Sequence, residues 1–62
     1  MLTATDRENV TKAAQCAAFL LTDVKSIAQS SNPLLAELGL EVLKAAVDLE
    51  QRLARLATIT SH

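Results

Sequence analysis

The sequence has almost none of the residues that usually hold a very small protein together. It contains one cysteine, one histidine and one phenylalanine, and neither tryptophan nor tyrosine. A single cysteine excludes an intrachain disulfide, and one cysteine with one histidine is too few for a structural zinc site. A chain of 62 residues without such links is marginally stable on its own. The remaining way to gain stability is oligomerisation, so the composition predicts self-association.

Glycine and proline are equally scarce, with one of each, and half of the residues are hydrophobic, mainly leucine, alanine and valine. That balance favours an all-α protein. Seven acidic residues against six basic ones give a net charge of −1, so no excess of positive charge predicts a nucleic-acid or membrane partner. No uncharged run is long enough to span a bilayer, and the N-terminus lacks the pattern of a signal peptide. We therefore expect one domain, residues 1–62, in the cytoplasm.

No group of residues predicts catalysis or cofactor binding. Cys16 has no histidine near it in the sequence, and the single histidine, His62, is the last residue and is expected to be solvated. The acidic residues of the second half alternate with basic ones at helical spacing, which is typical of a solvated surface. There is no glycine-rich phosphate loop. We expect neither an enzyme nor a bound cofactor or metal.

One segment interrupts the helical pattern, the SSNP stretch at residues 30–33. Asn32 is a good helix N-cap, and Pro33 suits the first position of a helix. The first half offers Thr5 as an N-cap with Glu8 in capping-box spacing, and Thr3 with Asp6 as a competing start. The sequence predicts helix 1 over about 5–29, a turn at 30–33 and helix 2 over about 33–58, where β-branched residues are expected to fray the end. The two would pack as an antiparallel hairpin.

Both predicted helices carry apolar residues in a heptad repeat. The predicted seam of helix 1 consists of Val10, Ala13, Ala17, Leu20, Val24 and Ile27, widened by Ala14, Leu21 and Ala28. The predicted seam of helix 2 consists of Leu35, Val42, Leu49 and Leu56, flanked by Gly39, Ala46 and Leu53. Folding the chain at Ser31 sets Ala28 opposite Leu35 and Val24 opposite Gly39. Glycine costs about 1 kcal/mol in a helix, so we expect Gly39 to mark a close approach to Val24.

Helix 2 carries more apolar surface than one neighbouring helix covers. A second stripe is formed by Ala36, Leu40, Leu43, Val47 and Ala54. A two-fold dimer would bury it, because the same patch on two copies is self-complementary. This predicts a homodimeric four-helix bundle, with a larger oligomer or a different covering protein as alternatives. Glu50 falls within the same arc, either at the rim of the interface or in an ion pair with Arg52 or Arg55 of the second chain.

Phe19, the single aromatic residue, lies off the seam of helix 1 and on its polar side. Three interpretations stand: an isolated exposed residue, a contact to a further subunit, or an anchor for a partner protein. For the third, the candidate binding residues are Phe19, Lys12, Gln15, Cys16 and Asp23. The favoured function is a self-associating protein-interaction module that acts as an adaptor, anti-activator or inhibitor.

Two architectural resemblances supply alternatives. The size and hairpin pattern resemble the Rop proteins, dimeric four-helix bundles that bind paired RNA loops, which implies a nucleic-acid-binding regulator. The basic residues of this chain form no stripe along one helix face, so nucleic acid is the second choice. The segment SNPLLAEL is similar to the interhelical turn of type III secretion needle subunits, helical hairpins that polymerise. Independently of this likeness, a purely structural oligomer, which would use the second stripe of helix 2 and Phe19 alike for assembly, is the third possibility.

Overall fold

The chain forms an antiparallel helical hairpin, as predicted. In the computed structural model, which describes residues 2–61, helix α1 spans Ala4–Ala28 and helix α2 spans Pro33–Thr60. The two helices pack against each other along their length, and the Cα atoms extend over 47 × 14 × 11 Å. The expectation for His62 concerns a residue outside the described part of the chain.

Helix α1 begins at the earlier of its two possible caps. The Thr3 hydroxyl oxygen accepts a hydrogen bond from the Asp6 amide at 3.0 Å, and the Asp6 carboxylate accepts one from the Thr3 amide at 3.0 Å. This reciprocal pair satisfies two amides that the helix itself leaves unpaired. Thr5 therefore lies inside the helix, and α1 starts one residue before the predicted position.

The connection between the helices is short and locally bonded. The Ser30 amide donates to the Ile27 carbonyl at 3.0 Å, and Gln29 caps the end of α1. Asn32 caps α2, since its side-chain oxygen accepts from the Leu35 amide at 3.1 Å, and Pro33 takes the first helical position. The predicted cap of helix 2 is confirmed.

Helix α2 runs two residues beyond its predicted end. The Thr58 and Thr60 hydroxyls donate to the carbonyls of Ala54 and Leu56, at 3.0 and 2.9 Å. Thr60 is also buried, although it is polar. We attribute the helical last turn to the packing of Thr60, where β-branched composition alone predicts fraying, and the two hydroxyls are bonded within the helix.

Small residues form the centre of the hairpin. The buried hydrophobic residues are Ala17, Val24 and Ala46, and Gly39 is buried with them. Half-buried residues extend this seam at spacings of three and four: Val10, Ala14, Leu21 and Ala28 on α1, and Ala36, Leu43, Glu50, Leu53 and Ala57 on α2. Within residues 2–61, no large side chain is fully buried. The hairpin is held by close contact between backbones more than by a filled hydrophobic core.

The predicted seam of helix 2 is correct at Gly39, Ala46 and Leu53, but it is wrong by one position at its four larger residues. Leu35, Val42, Leu49 and Leu56 do not face α1, and each is between 45% and 53% exposed. The residues that follow them, Ala36, Leu43, Glu50 and Ala57, lie in the seam instead. On α1, likewise, Ala13, Leu20 and Ile27 flank the seam and are exposed. The smaller stripe of α2 packs inward because it lets the two backbones come closer.

Gly39 allows this close approach, as predicted, but its neighbour differs. A methyl group on Gly39 would lie 2.9 Å from the amide nitrogen of Ala28, so the two backbones are in close contact at this level. The predicted neighbour was Val24, four residues earlier. The observed register therefore differs from the predicted one by about one helical turn, or ~6 Å along the axis. In this register the first turn of α2 extends beyond the end of α1.

Candidate interaction surfaces

One side of the hairpin carries most of the large exposed apolar residues. On both helices, exposed apolar residues occupy the heptad position just before a seam residue: Leu20 precedes Leu21, and Val42 precedes Leu43. An antiparallel pair is related by a two-fold axis perpendicular to the plane of the hairpin, so equivalent positions lie on the same side. We call this side the leucine face. Its large residues are Leu20 and Ile27 of α1 with Leu35, Leu38, Val42, Leu49, Leu56 and Ile59 of α2, all exposed.

The α2 part of the leucine face is a second complete heptad seam. From Leu35 to Ile59 its residues follow one another at spacings of three and four, and the position taken by Arg52 is the single charged one: Leu35, Leu38, Val42, Ala45, Leu49, Arg52, Leu56, Ile59. The side chain of Arg52 forms an ion pair with Asp48 at 2.9 Å, so it is turned toward its own helix. Helix α2 therefore has two packing seams, of which α1 covers the one with smaller residues.

The structure divides the residues predicted to form the dimer interface. Leu43, Val47 and Ala36 are half-buried within the hairpin, whereas Leu40 and Ala54 are exposed on the side opposite the leucine face. The predicted set is therefore not one continuous outer surface. Whether a second chain contacts Leu40 or Ala54 stays a prediction.

Glu50 occupies a seam position and is half-buried within one chain. In the register set by Gly39 and Ala28, it lies opposite Ala17, where the small alanine leaves room for the methylene groups of the glutamate. Among residues 2–61, no hydrogen bond or ion pair forms to the Glu50 carboxylate. Arg52, one of its two predicted partners across an interface, is bound to Asp48 of its own chain.

Phe19 points away from the seam, as its position on the polar side predicts. Its side chain is 73% exposed, near the middle of α1. The residues predicted to surround it, Lys12, Gln15, Cys16 and Asp23, are exposed as well. No pocket forms in the described part of the chain. A protein that bound Phe19 would therefore have to supply the cavity for the ring, while this chain supplies the protruding side chain.

Residues 2–61 contain no group of side chains arranged to hold a metal ion, and Cys16 is a free, exposed thiol. In the same range, neither helix combines the length and apolarity needed to cross a membrane. Comparisons with family models, with curated proteins and with solved structures each gave no match. The leucine face and the surface around Phe19 are thus the features from which a function is inferred.

Proposed function

We propose that the chain is a self-associating α-helical interaction module, a homodimeric four-helix bundle that acts by occupying the surface of another protein. Such a module would serve as an adaptor, an anti-activator or an inhibitor. The observation that carries this proposal is the exposure of the large hydrophobic side chains. Val24 is the largest hydrophobic residue that the hairpin buries, while leucines along α2 remain about half exposed.

The accessible surface supports self-association quantitatively. The single chain exposes 4797 Å², whereas a compact monomer of 6.6 kDa exposes about 3,900 Å². The difference, about 900 Å², is close to the ~800 Å² that each partner buries in a standard protein–protein interface. One further copy of the chain is enough to cover it.

The interaction role depends on the outer surface of α1. A dimer that buries the apolar side of each hairpin leaves Phe19 outside, on a helix held rigid by its neighbours. Binding energy at interfaces is concentrated in aromatic anchors with a polar surround that excludes water. Phe19 with Lys12, Gln15 and Asp23 has this composition, and Cys16 lies one turn before it. We assign partner binding to this surface.

Sedimentation equilibrium tests the self-association. At tens of micromolar the native chain is expected to have the mass of a dimer, and a monomer at that concentration would overturn the proposal. Phe19→Ala then tests the second role. Because the ring is 73% exposed, we expect the variant to keep the mass and the melting temperature of the native protein. We also expect the immobilised variant not to retain the host protein that the immobilised native dimer captures. A loss of mass in Phe19→Ala would instead identify a purely structural oligomer.

A further inference from the structure

We propose that the leucine face is the surface on which the second copy packs, so that Val42, Leu49 and Leu56 form the centre of the four-helix bundle. This rests on the self-association proposed above. It also replaces the surface around Leu40, which the sequence pattern favours, by the opposite side of the hairpin.

The first argument is the distribution of exposed apolar side chains. Among the large hydrophobic residues that are exposed in residues 2–61, eight lie on the leucine face, and the others are Leu2, Phe19, Leu34 and Leu40. Those four do not form a stripe: Leu2 precedes α1, Leu34 is in the first turn of α2, and Phe19 is on the outside of α1. An apolar surface that is continuous over two helices is rare in a monomer and typical of an interface.

The second argument is the spacing along α2. A seam with a strict three-and-four repeat packs against a parallel or antiparallel helix for its whole length. From Leu35 to Ile59 this seam is about 36 Å long at 1.5 Å per residue. A partner of the same length is needed to cover it, and a second copy of the hairpin provides that length.

The third argument is charge, which decides between a second copy and a lipid surface. On the leucine face itself, the heptad positions of α1 include Asp6 and Asp23, and those of α2 include Arg52. Helices that lie on membranes carry several lysines or arginines along the border of the apolar side. Arg52 is the one basic residue at these positions, and it already pairs with Asp48. The charges on this face therefore argue against a lipid surface, whereas a second copy matches the excess exposed area given above.

The opposite side of the hairpin is a poorer interface. Its α1 part consists of Thr11, Ala18 and Lys25, and its α2 part includes Leu40 and Ala54. A second copy packed on this side would bury Lys25, and none of the α2 residues just named is acidic. Burying an unpaired charge is costly. This side therefore stays solvated in the proposed dimer.

A pair of matched substitutions tests the assignment. Val42 and Leu40 are equally exposed, at 53% and 52%, and both lie in the first half of α2, on opposite sides of the hairpin. Because each dimer would bury two aspartates, we expect Val42→Asp to raise the dimer dissociation constant by more than about 100-fold. Leu40→Asp should change it less than about threefold, since the new carboxylate stays in water. The reverse order would overturn the inference.

Chemical cross-linking answers the question without relying on a destabilised variant. In a Cys16→Ser background, Leu49→Cys places a thiol at the centre of the leucine face, and Leu40→Cys places one on the other side. With a short bismaleimide, Leu49→Cys is expected to give covalent dimers and Leu40→Cys to give none. If the native chain is dimeric but the Leu40→Cys variant cross-links and Leu49→Cys does not, the face is wrong while self-association stands. A monomeric native chain would refute both.

Discussion

Replacing Gly39 with alanine tests whether the helices approach as closely as the structure shows. The added methyl carbon would lie 2.9 Å from the amide nitrogen of Ala28, 3.1 Å from its α-carbon and 2.9 Å from Cγ2 of Ile27. The Ile27 side chain is partly exposed and can rotate away. Ala28 is the last residue of α1. Its backbone can therefore move only if the end of α1 moves away from α2.

Two effects of opposite sign determine the size of the change. Alanine is the better helix former by about 1 kcal/mol, which favours the variant. Overpacking a well-packed contact costs about 1 to 3 kcal/mol, and a clash with backbone atoms belongs at the upper end of that range. We therefore expect Gly39→Ala to lower the free energy of unfolding by about 1 to 2 kcal/mol. For a domain of this size, each 1 kcal/mol lowers the melting temperature by roughly 4 to 8 °C.

Urea unfolding followed by far-ultraviolet circular dichroism is the appropriate assay, with the protomer concentration held constant because self-association contributes to stability. Ala54→Gly is the matched control. Ala54 is exposed in the same helix, on the side opposite the leucine face, so that change reports helix propensity and should cost about 1 kcal/mol. If Gly39→Ala were instead to stabilise the protein by about 1 kcal/mol, propensity would be the larger effect, and the close contact with Ala28 would be refuted.

Two further substitutions test other parts of the hairpin by the same assay. Thr3→Ala should lower the free energy of unfolding by about 1 kcal/mol because it removes the N-cap of α1, whereas Thr5→Ala should change it little; a larger effect at Thr5 would place the start of the helix later. Glu50→Leu should raise it by about 1 to 2 kcal/mol, since an apolar side chain suits a half-buried seam position, and Glu41→Leu on the exposed surface should give no comparable gain. An unchanged urea midpoint for Glu50→Leu would show that the native carboxylate already reaches water without strain.

Much of the hairpin follows from short-range chemistry and was predictable for that reason. The break at residues 30–33, the cap at Asn32 and the position of Pro33 depend on hydrogen bonds and dihedral angles within a few residues. The outward direction of Phe19 depends only on helical geometry, because 100° per residue places it away from Ala17 and Val24. The sequence does not distinguish Thr3 from Thr5 as the cap of α1, since both begin a capping-box pattern.

The candidate dimer surface could not be predicted in the same way. Leu40, Leu43 and Val47 are adjacent on the helical surface of α2, and the heptad pattern does not show that α1 covers two of them. The structure leaves Leu40 exposed and places Leu43 and Val47 in the hairpin. This moves the uncovered apolar surface to the leucine face.

By itself, the sequence determined that there are two amphipathic helices, where they are interrupted, and that α2 has more apolar surface than a single neighbour covers. Only the tertiary structure decided which stripe of α2 faces α1, and in what register. The physical reason is that both stripes repeat every seven residues, so periodicity does not distinguish them. The distance between the backbones does: Gly39 and Ala46 allow close contact with α1, and the larger residues Val42 and Leu49 remain outside.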